Sequence, residues 1–436
     1  MTTTTSATTT TSTTTTTGTT TTTTAAPPRL MPLYGSDNLA SHVAMHGAPP
    51  YPAAGHLVRL LADAGLRGYG GAGFPVHRKL AYVAEAGRRT GRKPVVVANG
   101  AEGEPASAKD KTLLLRAPHL VLDGLQLAAA AVGAEEAHLA VEAGTGLAAA
   151  LQNALAKRAR AGLDRLAVRF TEVPRGFLSG ESSALAEHLS GRAALPRYPQ
   201  PPVRERGVGR APTLVQNVET LAHLALIARY GAAWFRSVGT ADEPGSMLCT
   251  VHIADRRPEV VEAPLGAPLR RLLMLGQGDP VQAVLVGGYH GAWIPAAHAV
   301  GLRLSDADLA PYGAAPGAGV LAALPADRCG LVETARVLRY LALQSAGQCG
   351  PCLNGLPRIA AAFTELARPG APAGVREDIA RWAGLVEGRG ACHHPDGTVR
   401  LVRSALTAFA GEADAHAAGY CRATDLTPLL PLPEGN

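Results

Sequence analysis

A glycine-rich stretch, GLRGYGGAGF at 65–74, constrains the fold of this chain more than any other feature of the sequence. Five of its ten residues are glycine, so the backbone can take positive φ angles and approach a ligand where a Cβ atom would collide. The residues that follow predict a helix beginning near His77, which would direct unpaired N–H groups and the positive end of the helix dipole at the loop. This arrangement binds phosphate, but a similar glycine run also forms plain turns. On the loop alone both interpretations stay open.

The composition excludes several classes of protein. A chain of 436 residues is long enough for two or three domains, and 47% hydrophobic with 17% charged residues is typical of a soluble globular protein. No uninterrupted apolar run is long enough for a transmembrane helix. The net charge is +6, but the basic residues do not form a cluster suited to binding nucleic acid. The six cysteines are too few and too scattered for a disulfide scaffold, which favours a reducing cytoplasm.

The N-terminal half alternates predicted strands and helices. Apolar runs at 94–99 and 138–142 predict buried strands, and helices are predicted from 113 to about 133 and from 147 to 161. This alternation predicts an α/β domain over residues 31–238. The threonine-rich residues 1–30 have no apolar surface to bury and are predicted to form a disordered tail.

Polar residues follow the predicted strands of this domain. The segment GAEGEP at 100–105 leads to KDK at 109–111, the loop GFLSGESS at 176–183 precedes a helix, and PTLVQNVET at 212–220 leads into a helix that ends near Tyr230. Ligands of α/β folds bind at the carboxyl ends of the strands, so these side chains are candidates for a binding site. A solvated acidic turn is the plainer alternative for 100–105.

Two further domains are predicted. Strand-like segments and one short helix, at 246–253, 260–266, 269–275 and 283–288, predict a small β-grasp domain over 239–325. Four segments with helical apolar spacing predict a four-helix bundle over 326–415, followed by a C-terminal tail at 416–436.

Three cysteines are predicted to meet at one end of this bundle. Cys349 and Cys352 follow its first helix, and Cys392 lies in the turn before its last helix. Such a set could be buried thiols, a zinc site, a redox pair or an iron–sulfur site. Cys329 starts the first helix, roughly 25 Å from Cys349, and Cys421 lies beyond the last helix, so neither is expected to join the set.

Four motifs follow one another along the chain: GLRGYGGAGF with Lys79, ANGAEGEP with KDK, SGESSAL and PTLVQNVET. Their order and approximate spacing resemble those of the flavin-carrying, NADH-oxidising subunit of respiratory complex I, which has relatives in NAD-linked hydrogenases and formate dehydrogenases. The resemblance covers residues 35–415. It implies an FMN- and NADH-binding α/β domain, an SLBB-like β-grasp domain and a helical bundle that holds a [4Fe–4S] cluster. It also implies hydride transfer from NADH to FMN, followed by the transfer of single electrons from FMN to the cluster.

The resemblance further implies roles for individual residues. It assigns FMN binding to Gly68, Gly70, Gly71, Gly73, Lys79, Asn99, Glu102, Gly180, Glu181 and Asn217. It assigns the adenine of NADH to Phe74 and Tyr82, catalytic positions to Glu102, Glu104 and Glu181, and the cluster to Cys349, Cys352 and Cys392. The expected partners are other electron-transfer subunits of thioredoxin-like ferredoxin or ferredoxin type, and the expected location is the cytoplasm, compatible with peripheral attachment to a membrane complex.

Several residues depart from the family pattern. Ala346 stands where the family has the first cluster cysteine, which leaves three outcomes: a cluster on three cysteines, a replacement ligand such as His393 or His394, or no cluster. The flavin and nucleotide positions also differ, at Tyr69, Ala101, Phe177, Ser182 and Val203. We therefore expect weakened NADH binding, and the alternative function is a structural or docking subunit that has lost its cofactors.

Overall fold

The computed structural model of the chain describes residues 1, 29–31, 38–197, 201–254, 256–278 and 280–433. The predicted disordered tail at 1–30 lies almost entirely outside the described residues. Within the described part, no helix is both long and apolar enough to span a membrane.

A four-stranded parallel sheet forms the centre of the N-terminal part. Its strands are β1 Val95–Gly100, β2 Glu136–Glu142, β3 Val168–Val173 and β4 Thr213–Asn217, in the order β3-β2-β1-β4. The predicted α/β class is confirmed, and the register places Asn99 beside Asn217 at the carboxyl ends of β1 and β4. Strand β3 was not predicted from the sequence, because this edge strand is half exposed and lacks the apolar run of a buried one.

Eight helices surround this sheet within the described residues. They are α1 Leu39–His46, α2 Ala54–Ala64, α3 Val76–Thr90, α4 Lys109–Arg116, α5 Pro118–Val132, α6 Ala148–Arg160, α7 Ser182–Leu189 and α8 Val218–Phe235. The single helix predicted from 113 to 133 is wrong: it is two, because Pro118 disfavours helical backbone at Ala117, where φ is −138° and ψ is 50°. Helix α8 has non-helical backbone at Gly231, directly after the predicted end at Tyr230.

Alternate residues of β1 pack into different apolar clusters. Val96 and Ala98 face a large core built mainly from α2, α3, α5 and α8, whereas Val95 and Val97 face a smaller cluster with Leu185 of α7. Burial on both faces is typical of parallel sheets covered by helices. Because helices cover both faces of β1, a ligand is expected at the carboxyl ends of the strands rather than on a face of the sheet.

A second sheet follows in the chain. Its strands are β5 Ser246–Ile253, β6 Glu259–Pro264, β7 Val281–Val286, β8 Ala292–Pro295 and β9 Val320–Pro325, in the order β6-β5-β9-β7-β8. Strands β5 and β9 are parallel and the other neighbours antiparallel. Three short helices accompany it: α9 Leu269–Leu272, α10 Ala296–Ala299 and α11 Asp306–Leu309. The predicted strands are present, but β8 and β9 were missed, and the finer β-grasp assignment stays a prediction.

The C-terminal part is helical, as predicted. Its helices are α12 Gly330–Leu343, α13 Leu356–Leu366, α14 Val375–Val386, α15 His394–Ala408 and α16 Ala410–Ala417. They share an apolar cluster with one face of the second sheet, including Leu285 and Leu324. The exact domain boundaries and the four-helix description stay predictions.

A buried ionic network joins the first sheet to the second. Lys109 Nζ lies 2.8 Å from both Asp110 Oδ1 and Glu219 Oε2, and all three side chains are buried. The other oxygen of Glu219 accepts a 2.7 Å hydrogen bond from the backbone N–H of Leu248 in β5. Burial alone would lower the pKa of Lys109, but the two carboxylates raise it above its ordinary value, so the ammonium stays charged.

We predict that Lys109→Met lowers the free energy of unfolding by about 3–5 kcal/mol, because it leaves two buried carboxylates without their counter-charge. Urea denaturation followed by circular dichroism measures the change. Lys93→Met is the matched control: its ammonium lies 2.9 Å from Glu135, but both side chains are mostly exposed, so its effect should stay below about 1 kcal/mol. Equal effects of the two variants would contradict a structural role for the network.

Candidate functional site

The glycine-rich stretch forms a closed loop at the carboxyl edge of the first sheet. Gly68 donates a 3.0 Å hydrogen bond to Phe74 O, and the Arg67 guanidinium donates one of 2.8 Å to Gly73 O, so both arms of the loop are held. Gly71 and Gly73 have φ of 95° and 58°, in the left-handed region that favours glycine. Helix α3 begins at Val76, one residue from the predicted start. The loop is thus followed directly by a helix N-terminus.

Lys79 lies in the first turns of this helix and points back under the sheet edge. Its ammonium donates a 2.5 Å hydrogen bond to Val215 O in β4. Burial, with a smaller contribution from the nearby Arg204, lowers its pKa to about 8. No carboxylate within the described ranges forms an ion pair with Lys79. A partly buried cation without a counter-charge, beside a glycine loop, is suited to an anion.

Asn99 and Asn217 organise the same edge through internal hydrogen bonds. Asn99 donates to Gly180 O at 2.8 Å and accepts from the Ala101 N–H at 3.1 Å. Asn217 caps α8 by accepting from the Glu219 N–H at 2.9 Å and donates to Asp110 Oδ2 at 2.6 Å. A Cβ atom on Gly70 would lie 3.4 Å from the Asn217 Cβ, so the glycine loop passes directly over the end of β4.

The three carboxylates assigned to catalysis are bound mainly to neighbouring protein groups. Glu102 is buried and accepts from Ser107 Oγ and from the N–H groups of Asp110 and Lys111, where it caps α4. Glu181 caps α7 by accepting from the N–H groups of Ser183 and Ala184. These two side chains therefore hold helix starts in place.

Glu104 connects the site to the second sheet. Its Oε2 accepts a 2.9 Å hydrogen bond from the Tyr289 N–H, and burial raises its pKa to about 7. A carboxyl group with this pKa exchanges its proton near neutral pH. Burial also raises the pKa of Glu102, where the nearby Asp110 adds to the effect.

Phe74 and Tyr82 form an exposed aromatic pair beside the loop. Their ring centroids lie 6.4 Å apart, and the residues are 41% and 50% exposed. A core role for Phe74 does not fit this exposure. Two large exposed rings next to a phosphate-type loop form a platform on which a planar base can stack.

A cavity of about 250 Å³ separates the glycine loop from the second-sheet part. Arg67, Gly71 and Gly73 line one side of it, and Met247 and Asp306 line the other. Arg67 spans this gap, with its guanidinium 2.7 Å from the Asp306 carboxylate. This ion pair was not predicted from the sequence, since its partners are far apart in the chain and lie in different parts of the fold.

The three predicted cluster cysteines lie near one another at one end of the helical part. Cys349 and Cys352 flank the start of Pro351–Gly355, a widened π-type turn that leads into α13. Burial raises the pKa of Cys352 to about 11, with contributions from a hydrogen bond to Cys349 and from the Cys392 thiol. Burial also raises the pKa of Cys392, and the Glu181 carboxylate adds to this effect. Cys392 thus lies near Glu181, the residue that precedes α7.

Neither histidine next to Cys392 is placed as a fourth ligand. The His393 side chain is fully exposed and lies 3.8 Å from Asp396. Both ring nitrogens of His394 are engaged, one with Leu341 O at 2.8 Å and the other with His290 at 3.0 Å. The half-buried Ala346 offers no donor atom. The assignment of Cys349, Cys352 and Cys392 as cluster ligands stays a prediction, and neither histidine is placed to join them.

The loop at 176–181 connects the two candidate sites. A Cβ atom on Gly180 would lie 2.5 Å from Ala101 O, so only glycine allows this approach to the β1 loop. On its other side, the Phe177 N–H donates to the Gln344 side chain at 3.0 Å, and its ring packs 5.6 Å from His394. The loop thus touches both the sheet edge and the cysteine-bearing helices.

Comparison with known proteins supports this interpretation of the two sites. The family model described as "Nuo51 FMN-binding domain" matches residues 61–226, and that of the "NADH-ubiquinone oxidoreductase-F iron-sulfur binding region" matches residues 333–416. These ranges contain the glycine loop and the three cysteines respectively.

Relatives cover most of the chain. An NADH-quinone oxidoreductase F subunit of Rhizobium meliloti, the one numbered 2, is 30% identical over 83% of this chain and 88% of its own length. The NADH-quinone oxidoreductase F subunit of Mycobacterium tuberculosis is 30% identical over 83% of this chain and 85% of its own. A crystal structure of an NAD⁺-reducing [NiFe]-hydrogenase in the air-oxidised state is similar with a TM-score of 0.77 and 29% identity, over 91% of this chain and 67% of that one. The chain therefore belongs to the family of NADH-quinone oxidoreductase F subunits, NADH-binding electron-transfer proteins that contain FMN and an iron–sulfur group.

Proposed function

We propose that this chain is a divergent NADH-oxidising flavoprotein subunit, in which FMN lies at the glycine loop and an iron–sulfur cluster is held by three cysteines instead of four. The observation that carries the proposal is the Lys79 ammonium, which lies partly buried at this loop without a carboxylate partner among the described residues. A phosphate group would supply the missing negative charge.

The residues present fit FMN. The loop glycines leave room for a phosphate, since a Cβ on Gly71 would have no neighbour within 4 Å, and α3 begins just beyond the loop. Asn99, Gly180 and Asn217 lie at the same edge. Asn99 donates a hydrogen bond to Gly180 O, and Asn217 donates one to Asp110. FMN, when bound, supplies the acceptor for a hydride from NADH and passes the electrons on singly.

The roles of the chain's own residues follow from their contacts. Phe74 and Tyr82 bind the adenine of NADH by stacking, and Lys79 holds the flavin phosphate. Glu102 and Glu181 fix the loops that border the flavin, because their oxygens are taken up by helix N–H groups. Glu104, with a pKa of about 7, can hold or release a proton near neutral pH.

The cysteine site fits an altered cluster. Cys352 has a hydrogen bond to Cys349 and its pKa is influenced by Cys392, while both ring nitrogens of His394 are taken up and His393 is fully exposed. We infer that one iron of a [4Fe–4S] cluster lacks a protein thiolate, or that the cluster is [3Fe–4S]. The electrons then pass to a subunit of ferredoxin type or thioredoxin-like ferredoxin type in the cytoplasm. We also propose that the central part of the chain is an SLBB-like β-grasp domain and that the C-terminal part is a four-helix bundle.

We predict that Ala346→Cys increases the iron bound per chain and sharpens the paramagnetic resonance spectrum of the reduced protein, because it restores a thiolate to the cluster. Iron analysis after anaerobic reconstitution measures this, with Ser345→Cys as the control that adds a thiol one residue away. Visible absorption of the wild type reports the flavin independently. A colourless protein, iron-free in both wild type and Ala346→Cys, would favour the alternative of a cofactor-depleted docking subunit.

We predict that above about pH 7, where the FMN phosphate is fully ionised, the affinity of the flavin-free protein for FMN falls as the pH rises through about 8. Lys79 must be charged to bind phosphate, and its pKa in the free protein is about 8. Lys79→Met should weaken FMN binding roughly 10- to 100-fold at pH 7 and remove this pH dependence, as expected for the loss of a charged hydrogen bond. Fluorescence titration with FMN measures both effects.

Arg78→Met is the matched control, since it removes an adjacent but exposed cation. It should leave both the affinity and its pH dependence close to those of the wild type. A wild-type affinity that does not change between pH 7 and pH 9.5 would exclude Lys79 as the phosphate ligand.

We predict that Phe74→Ala raises the KM for NADH about 2- to 12-fold with little change in kcat, the pattern expected when binding is lost equally in ground and transition states. Steady-state reduction of ferricyanide measures both constants. Tyr420→Ala, which removes a similarly exposed ring from the C-terminal segment, should change neither. If Phe74→Ala instead lowered the melting temperature and left KM unchanged, the nucleotide would have to bind elsewhere.

A further inference from the structure

Three potential metal ligands meet in the C-terminal part, apart from the cysteines described above. Cys329 immediately precedes α12, His416 lies in the last turn of α16, and Cys421 follows α16. One ligand atom from each lies within 4.8 Å of the other two. Cys329 and Cys349 lie beyond opposite ends of α12, a helix of 14 residues and therefore about 21 Å long. This second group is thus separate from the iron–sulfur site.

The spacing fits a tetrahedral zinc site. Zinc binds thiolate sulfur at about 2.3 Å and imidazole nitrogen at about 2.0–2.1 Å, which places neighbouring ligand atoms about 3.5–3.8 Å apart. Cys329 Sγ lies 3.7 Å from His416 Nε2. Small movements of the sulfur of Cys421, in the segment that follows α16, would complete the geometry.

The orientation of His416 is that of a metal ligand. Its Nδ1 lies 3.0 Å from Leu366 O, and since a carbonyl only accepts, Nδ1 must carry the proton. The lone pair is then on Nε2, which faces Cys329. A backbone carbonyl that fixes the tautomer in this way is the usual outer partner of a zinc-bound histidine.

Two hydrogen-bond acceptors face the Cys329 thiol. The single proton of the Cys329 thiol has two acceptors, His416 Nε2 and Glu412 Oε2, the latter 3.3 Å from the sulfur. A bound dication would stabilise both thiolates, and Glu412 or a water would fill its fourth position.

We propose that Cys329, His416 and Cys421 bind a structural zinc ion that fastens the C-terminal segment to the start of α12. Two thiolates with one imidazole favour zinc over the hard divalent cations. The segment beyond Cys421 continues along the same region. Thr424 and Asp425 donate to Asp327 O at 2.9 and 3.1 Å, and Leu430, 1% exposed, packs into the apolar cluster of the helices. The zinc ion would hold the first residues of this segment against the start of α12.

The test is metal analysis of the full-length protein purified without oxygen and in the presence of Zn²⁺. We expect one zinc per chain, which is lost in Cys421→Ser and in Cys329→Ser. The double variant Cys349→Ser, Cys352→Ser should keep its zinc, which separates this site from the iron–sulfur cysteines. Cys249→Ser, at a buried cysteine in β5, is the control for loss of an unrelated thiol.

A second readout follows the C-terminal segment itself. Arg422 is exposed directly after Cys421, so tryptic cleavage there should become at least about 10-fold faster in Cys421→Ser and in wild type treated with a zinc chelator. Zinc-free wild type, equal zinc in wild type and both single variants, or a Cys329–Cys421 disulfide in the anaerobic protein would each overturn the proposal.

Discussion

The buried ammonium of Lys109 is the interaction on which the arrangement of the site depends. Through Glu219 it links the start of α8 to β5, and through Asp110 it reaches Asn217 at the end of β4. A buried cation between two carboxylates is favourable only while all partners are present, so the network holds one geometry. Because the glycine loop lies against Asn217, its position is set by this network as well as by its own sequence.

The second organising element is the loop at 176–181, which both candidate sites share. Gly180 lies against the β1 loop, while Phe177 packs against His394 next to the cysteines. Glu181 caps α7 and is close enough to Cys392 to influence its pKa. In the proposed function, electrons would pass from the flavin toward the cluster across this short loop. Because the loop contacts both the sheet edge and the helices near the cysteines, it would keep the distance between the flavin and the cluster constant.

In the proposed function, the departures from the family pattern would fall around the cofactors, while the fold is retained. Ala346 would leave the cluster one ligand short, yet the turn at Pro351–Gly355 still brings Cys349 and Cys352 together. Tyr69 stands where the family has an arginine, and it is buried, with its ring 4.9 Å from His223. Burial raises the pKa of Tyr69 well above its ordinary value, and the nearby Glu219 and Glu262 carboxylates raise it further, so this ring stays neutral. The substitution at 69 is therefore accompanied by packing that suits it.

The sequence by itself determined the features that depend on neighbouring residues. The positive φ angles of the glycine loop, the helix that begins at Val76 and the buried strand β1 follow from local composition and apolar pattern. The placing of Cys349 and Cys352 together follows from their spacing in the chain. Pro118 also indicates the break between two helices at Ala117, but the helical apolar spacing on both sides of it led to the prediction of a single helix.

Only the tertiary structure decided how distant residues combine. Glu102 and Glu181, assigned to catalysis by resemblance, are occupied as helix caps, and Phe74 is exposed although an aromatic residue could equally have been buried. Cys329 and Cys421, neither of which was expected to join the cluster cysteines, lie together with His416. Such contacts depend on how helices and loops far apart in the chain pack, and local propensity carries no information about them because the decisive free energy comes from burial and pairing across the fold.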